Sequence, residues 1–143
     1  QRAARIDDER SMIEAVDSLD NPFFELRTNE YGKGVYTKVV IKRGTLLKLF
    51  EPSHVDFNIP ISMVPSMYRK YVAYVDAVHC NAPKDFEHMD IAWYINHADN
   101  PNVAPQGNHA YVATRDISIG EELFFDYNHL NEPEELKDSF YKK

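Results

Sequence analysis

The chain has 143 residues, enough for one domain with a real core. Its 16 Lys and Arg against 23 Asp and Glu give a formal charge of −7, which argues against the basic face of a nucleic-acid binder and suits a positively charged partner such as a Lys-rich peptide. A lone cysteine, Cys80, excludes an intrachain disulfide and a thiolate-rich zinc site, and no run of about 18 apolar residues marks a membrane span.

Residues 5–18 carry Ile6, Ile13 and Val16 at helical spacing, which predicts a short amphipathic helix over an N-terminal extension, residues 1–20. Asn21-Pro22 ends it. From Phe23 the texture turns to short β runs. Phe23, Phe24 and Leu26 lead to a turn at Asn29-Glu30-Tyr31-Gly32. The residues Val35, Tyr36, Thr37, Val39, Val40 and Ile41 favour strand. Lys42-Arg43-Gly44 then reads as the turn of a hairpin running into Thr45–Phe50. Pro65 suits a first helical turn, and we favour a short helix to about Lys70 followed by extended chain, with a strand over residues 71–75 as the alternative. Residues 79–90 are polar and contain Asn81-Ala82-Pro83, so a loop is expected.

An apolar aromatic run, Ile91-Ala92-Trp93-Tyr94-Ile95, feeds the polar loop Asn96-His97-Ala98-Asp99-Asn100-Pro101-Asn102. Tyr111-Val112-Ala113-Thr114 reads as a strand, Ile117-Ser118-Ile119-Gly120 as a turn, and Leu123-Phe124-Phe125 as another strand. Ile41-x-x-Gly44-x-x-Leu47 is echoed by Ile117-x-x-Gly120-x-x-Leu123, which two separate strand–turn–strand hairpins would explain. In the tail, Leu136, Phe140 and Tyr141 give one apolar edge to a short C-terminal helix. Aromatic residues make up 13% of the chain, enough to build a pocket as well as a core.

Three distant segments carry chemistry. Gly32-Lys33-Gly34 lets backbone approach a ligand closely, and reads equally as an ordinary turn. Asn96-His97-x-x-x-Pro101-Asn102 offers side-chain donors and acceptors, or an Asx-rich loop. Gly120-Glu121-Glu122-Leu123-Phe124-Phe125-Asp126-Tyr127 ends an aromatic run on a tyrosine, whose hydroxyl needs a partner if buried. The histidines, His54, His79, His88, His97, His109 and His129, have no tight metal-ligand spacing, and no metal is expected.

Taken in order, Gly-x-Gly-Val, Ile-Asn-His-x-x-x-Pro-Asn and Gly-Glu-Glu-Leu-x-Phe-Asp-Tyr resemble the SET-domain family over residues 23–128. The resemblance implies a mainly β fold, a β-clip of small curved sheets with few short helices. In it the Asn-His and Asp-Tyr segments meet in a knot-like crossing. It implies a catalytic domain over 21–128, with 129–143 a C-terminal segment and candidate lid. It also implies a protein-lysine methyltransferase using S-adenosylmethionine, with S-adenosylhomocysteine as product.

Carried over by position, the backbone at Lys33 and Gly34, together with Tyr94, Asn96 and His97, is expected to hold the cofactor. Tyr127 is expected to be the catalytic tyrosine, orienting rather than acting as a base. Phe125 and Tyr71 would line the substrate channel. A Phe at position 125 goes with di- or trimethyl product, because the missing hydroxyl leaves out an ordered water and admits a bulkier amine.

The sequence departs from the family in three places. Trp93 stands where many members carry an Arg able to pair with the cofactor carboxylate. Ala98 replaces a Ser or Cys. The cysteine-rich module after the tyrosine is absent, and Phe140 or Tyr141 could supply its aromatic surface as a lid.

The expected partner is a basic protein or Lys-rich peptide, a histone tail among the candidates, with no direct nucleic-acid or membrane contact and a monomer or homodimer as the assembly. The single cysteine fits an intracellular location, cytoplasmic or nuclear, with a secreted effector left open. No secretory h-region stands at the start, though the chain opens on Gln1 and a removed targeting segment stays open. The alternative function is a catalytically silent SET module that binds a basic peptide or a partner protein. A methyltransferase for a non-protein amine and a metal enzyme are weaker readings.

Overall fold

A computed structural model describes residues 12–107 and 109–142. Within them the chain is short strands, turns and single-turn 3-10 helices, with no α-helix among the described residues. Four small sheets, none closed into a barrel, share the work of burial. The first has the order β1 (Met12–Glu14), β4 (Leu46–Lys48), β10 (Ala110–Ala113), β9 (Val103–Gln106), with β1 parallel to β4 and the rest antiparallel. The second is the hairpin β2 (Phe24–Asn29) and β3 (Gly32–Thr37). The third joins β5 (Val55–Pro60), β7 (His79–Pro83) and β6 (Ala73–Tyr74). The fourth is the two-residue parallel pair β8 (Asn96–His97) and β11 (Phe124–Phe125).

The N-terminal expectation is corrected over its described part. Residues 12–14 form an edge strand of the main sheet, and the remainder, residues 5–11, lies outside the described residues. The burial alternates: Ile13 is buried between exposed Met12 and Glu14, a period of two rather than 3.6. The chain then stays extended, with the Val16 carbonyl accepting from Ile91 N–H. Asn21 makes the turn that follows, its Oδ1 accepting from the N–H groups of Phe23 at 2.8 Å and Phe24 at 3.0 Å.

The hairpin expected at Lys42-Arg43-Gly44 is also corrected. β3 pairs back onto β2, and β4 pairs with β1 and β10 instead. The internal echo has a different cause from two separate hairpins, because its two copies pair with each other. Ile41 and Ile117 exchange N–H···O bonds of 2.9 and 2.7 Å. Gly44 N–H donates to Ala113 and Gly120 N–H to Thr37, both at 2.8 Å, so the two strand–turn–strand units meet about a local twofold. Both glycines have positive φ, +87° and +88°, and open space where a Cβ would stand, so backbone conformation rather than crowding calls for glycine there.

Two further expectations change. Residues 79–83 are strand β7 rather than loop, held between β5 and β6 with Cys80 and Ala82 turned inward. The tail forms separate 3-10 turns, Tyr127–Leu130 and Glu134–Leu136, rather than one helix. Pro133 stands between them as the N-cap of the second turn, which stops at Lys137 with extended backbone, φ −72° and ψ 140°. The short helix after Pro65 is a 3-10 helix, Ser66–Tyr71, followed by β6 as expected.

Phe24, Val35, Ile41, Leu47, Leu49, Ile91, Ile95, Ile117 and Leu123 make up most of one core between the first, second and fourth sheets. Each such Leu, Ile or Phe contributes roughly 1.5–3 kcal/mol by leaving water. A smaller core of Val64, Val72, Cys80 and Ala82 sits under the third sheet. The cleft between the two cores is where the three motif segments converge.

Candidate active site

The β2–β3 turn delivers the first segment. Asn29 Oδ1 accepts from Tyr31 N–H at 2.9 Å, and Gly32 takes φ +108° to close the turn. Gly34 is buried, and a Cβ there would stand 2.6 Å from Asn29 Nδ2 and against the Glu122 carboxylate. That glycine therefore serves close packing of chain on chain. It is absent from the cavity wall described below, where its neighbour Lys33 stands.

Glu122 ties the segments together, although sequence reasoning did not single it out. Its Oε2 accepts from Asn96 Nδ2 at 2.7 Å, and its Oε1 accepts from Tyr36 Oη at 3.1 Å and Asn29 Nδ2 at 3.2 Å. Asn96 Nδ2 also donates to the Lys33 carbonyl at 2.9 Å. One carboxylate and one amide thus lock the glycine turn onto β8. Both amide hydrogens of Asn96 are engaged with the chain, which leaves Oδ1 to offer a ligand. The signal for Glu122 lay inside the Gly-Glu-Glu motif, but nothing local says which glutamate turns inward. Glu121 instead caps the turn at Ser118 N–H, 2.7 Å away.

Asn102 does similar work. It is 1% exposed, donates from Nδ2 to the Glu122 carbonyl at 2.8 Å, and accepts at Oδ1 from Phe124 N–H at 2.8 Å. Pro101-Asn102 thereby sets β8 beside β11, in the register Asn96 with Phe124 and His97 with Phe125. The two segments lie side by side, as the resemblance implies.

His97 is nearly enclosed, its side chain 6% exposed. Its Nδ1 accepts from Tyr127 N–H at 3.0 Å, and its Nε2 lies 2.9 Å from Asp99 Oδ1. A backbone N–H requires a lone pair on Nδ1, so this geometry assigns the proton to Nε2. The Tyr127 hydroxyl donates to the Ile95 carbonyl at 2.7 Å. Burial, and then the charge of Glu122, push the Tyr127 phenol well above its ordinary range. Phe125 is buried with its ring 5.3 Å from Tyr127 and 5.7 Å from Tyr111.

These side chains face a cavity of about 670 Å³. Lys33, Tyr71, Tyr94, Asn96, His97, Phe125, Tyr127, Phe140 and Tyr141 all line it, so the structure gathers every proposed site residue except Gly34. Tyr71 meets Tyr94 edge-on at 5.4 Å. Tyr141 is 5% exposed, 5.3 Å from the Tyr127 ring, and its hydroxyl donates to Glu132 Oε1. Glu132 in turn accepts from Tyr74 N–H at 2.9 Å, which fastens the C-terminal segment to β6. Phe140 stays 65% exposed at the rim. Tyr111, also unmarked by the sequence, lines the cavity, and burial raises its phenol to about 12.

The residues present fit a cofactor made of an adenosyl group on an amino acid. A volume of this size with largely aromatic walls suits a base and its ribose. Lys33 and Lys70 are both on the lining, and the Lys70 ammonium has no carboxylate in ion-pair reach among the described residues. Trp93 also lines the cavity, and its buried Nε1–H has no hydrogen-bond partner among the described residues. No three His, Cys, Asp or Glu side chains gather around a metal-sized site among the described residues.

A family model described as the SET domain matches residues 32–128, the stretch holding all three segments. No curated protein matches the chain. Among solved structures, the chain is similar to a Plasmodium falciparum candidate histone methyltransferase at 17% identity, over 72% of this chain and 90% of that one, with a TM-score of 0.44. It is similar to the methyltransferase domain of human PR domain-containing protein 2 at 23% identity, over 71% and 74%, with a TM-score of 0.47.

Proposed function

From the premise that this chain belongs to the SET-domain family, we propose that it is a protein-lysine N-methyltransferase dependent on S-adenosylmethionine. The observation that carries the reading is the meeting of Tyr127, Phe125, Asn96 and His97 at one aromatic cavity. When bound, the cofactor supplies a methyl group on a sulfonium. Transfer to an amine needs that amine neutral, in line and close.

The chain's own residues serve those needs. Aromatic walls disfavour an ammonium and so lower the pKa of an entering lysine. Burial and the charge of Glu122 disfavour the ionised phenol of Tyr127, which suits an orienting role rather than that of a base. Its hydroxyl and the Ile95 carbonyl instead form a fixed polar rim that orients the reacting groups. Lys33 backbone, Asn96, His97 and Tyr94 hold the cofactor side, while Tyr71 and Phe125 shape the amine's channel. Phe125, without a hydroxyl, favours di- or trimethyl product. Tyr141 is a fixed wall and Phe140 the part of the tail free to close as a lid. The charge of −7, with Glu132 and Asp138 on the cavity lining, favours a basic protein substrate such as a histone.

The test is incubation with methyl-labelled S-adenosylmethionine and either core histones or a basic protein extract, read by mass spectrometry. Methyl-lysine on a defined protein is expected. Cofactor binding without transfer would replace the proposal with the silent peptide-binding module.

A further inference from the structure

Lys70 is placed where a ligand's negative charge would be received. It lies near the end of the 3-10 helix Ser66–Tyr71, and its side chain reaches the glycine turn. Its Nζ is 3.5 Å from the point a Gly32 Cβ would occupy and 5.2 Å from the Tyr71 ring centre. The ammonium is therefore held against the Gly32 backbone and an aromatic face, on the cavity lining.

No carboxylate lies in ion-pair reach of it among the described residues, in a chain with 23 acidic side chains to 16 basic ones. By contrast Arg27, Lys48, Arg115 and Lys137 all pair with carboxylates. Arg69, the neighbouring cation on the lining, turns its Nε to the Val64 carbonyl. Lys33 lies on the same lining, its carbonyl gripped by Asn96. Trp93, on the same lining, is an indole whose buried N–H carries no charge.

We propose that Lys70 binds the carboxylate of the cofactor's amino-acid end. This deepens the cofactor reading above and rests on it. A flexible ammonium gives a point-charge contact rather than a bidentate fork, so the expected effect is moderate and sensitive to salt.

The experiment is calorimetric titration of the wild-type chain, Lys70→Met, Lys70→Arg and Lys70→Glu with two probes. The first is S-adenosylhomocysteine, and the second is 5′-methylthioadenosine, which keeps the adenosine and sulfur but lacks the amino-acid end. Lys70→Met should weaken S-adenosylhomocysteine about fivefold at low salt, the scale of an exposed ion pair. Lys70→Glu should weaken it further, and Lys70→Arg should stay near wild type. Binding of 5′-methylthioadenosine should be the same in all four proteins. Equal losses for both probes, or none for S-adenosylhomocysteine, would overturn the role of Lys70 and leave the cofactor reading standing. Failure of the wild type to bind S-adenosylhomocysteine would remove the cofactor reading and this inference together.

Discussion

The main-chain N–H of Tyr127 donates to Nδ1 of His97 across 3.0 Å, so the histidine of one motif fixes the backbone of the tyrosine in another. His97 is thus a positioning residue for Tyr127, whose hydroxyl is set in turn by Ile95. His97→Ala removes a buried ring and leaves that N–H without its acceptor. The expected cost is roughly 2–4 kcal/mol in chemical denaturation. His97→Asn, which can present an oxygen to the same N–H, should lose less. Equal losses for Asn and Ala would show that packing alone matters there.

Glu122 accepts from Asn96, Tyr36 and Asn29, so removing its carboxylate strands several donors at once. Glu122→Ala should destabilise the fold by roughly 2–4 kcal/mol, and Glu122→Gln by less, since one acceptor oxygen remains. Urea midpoints measured on the two variants check this. Affinity for S-adenosylhomocysteine should fall alongside, because Lys33 and Asn96 lose their anchor.

Phe125 packs against Tyr111 and Tyr127 on the cavity lining, the wall proposed to face the amine. Phe125→Tyr should shift the product toward monomethyl-lysine, as read by mass spectrometry of the modified substrate. An unchanged product distribution would remove Phe125 from control of methylation state.

Burial raises the phenols of Tyr111, to about 12, and of Tyr127. Both titrate near 10 in an unfolded chain. A folded-state pKa above the unfolded one means stability that is complete below pH 10 and lost as pH rises toward 12. Denaturation midpoints should therefore hold from pH 8 to 9.5 and fall above pH 10. Tyr111→Phe should flatten that fall, and a slope unchanged by the substitution would contradict the assignment.

The turn between β2 and β3 was legible, because Asn29-Glu30-Tyr31-Gly32 carries its own turn chemistry, while the hairpin was expected one turn too late, at Lys42-Arg43-Gly44. The three-motif order made the site legible, since its residues are quoted whole in the chain. What stayed hidden was pairing between distant strands. Ile41 meeting Ile117, and Met12–Glu14 joining Leu46–Lys48, depend on partners that no local window contains. Gly34 shows the same limit at the site: its motif marked a close approach, but the group approaching is Glu122, far along the chain. The helix expected over residues 5–18 failed in its described part because three apolar residues fit a helical period by chance over a short strand.

In the proposed reaction Tyr127 orients the methyl and the amine and takes no proton. Single-turnover methyl transfer by wild type and Tyr127→Phe, with S-adenosylhomocysteine affinity measured on both, tests it most directly. The variant should react about 10²-fold more slowly, with cofactor affinity within error of wild type and the same dependence of rate on pH. A fully active variant, or one whose pH dependence moves with the loss of the phenol, would contradict it.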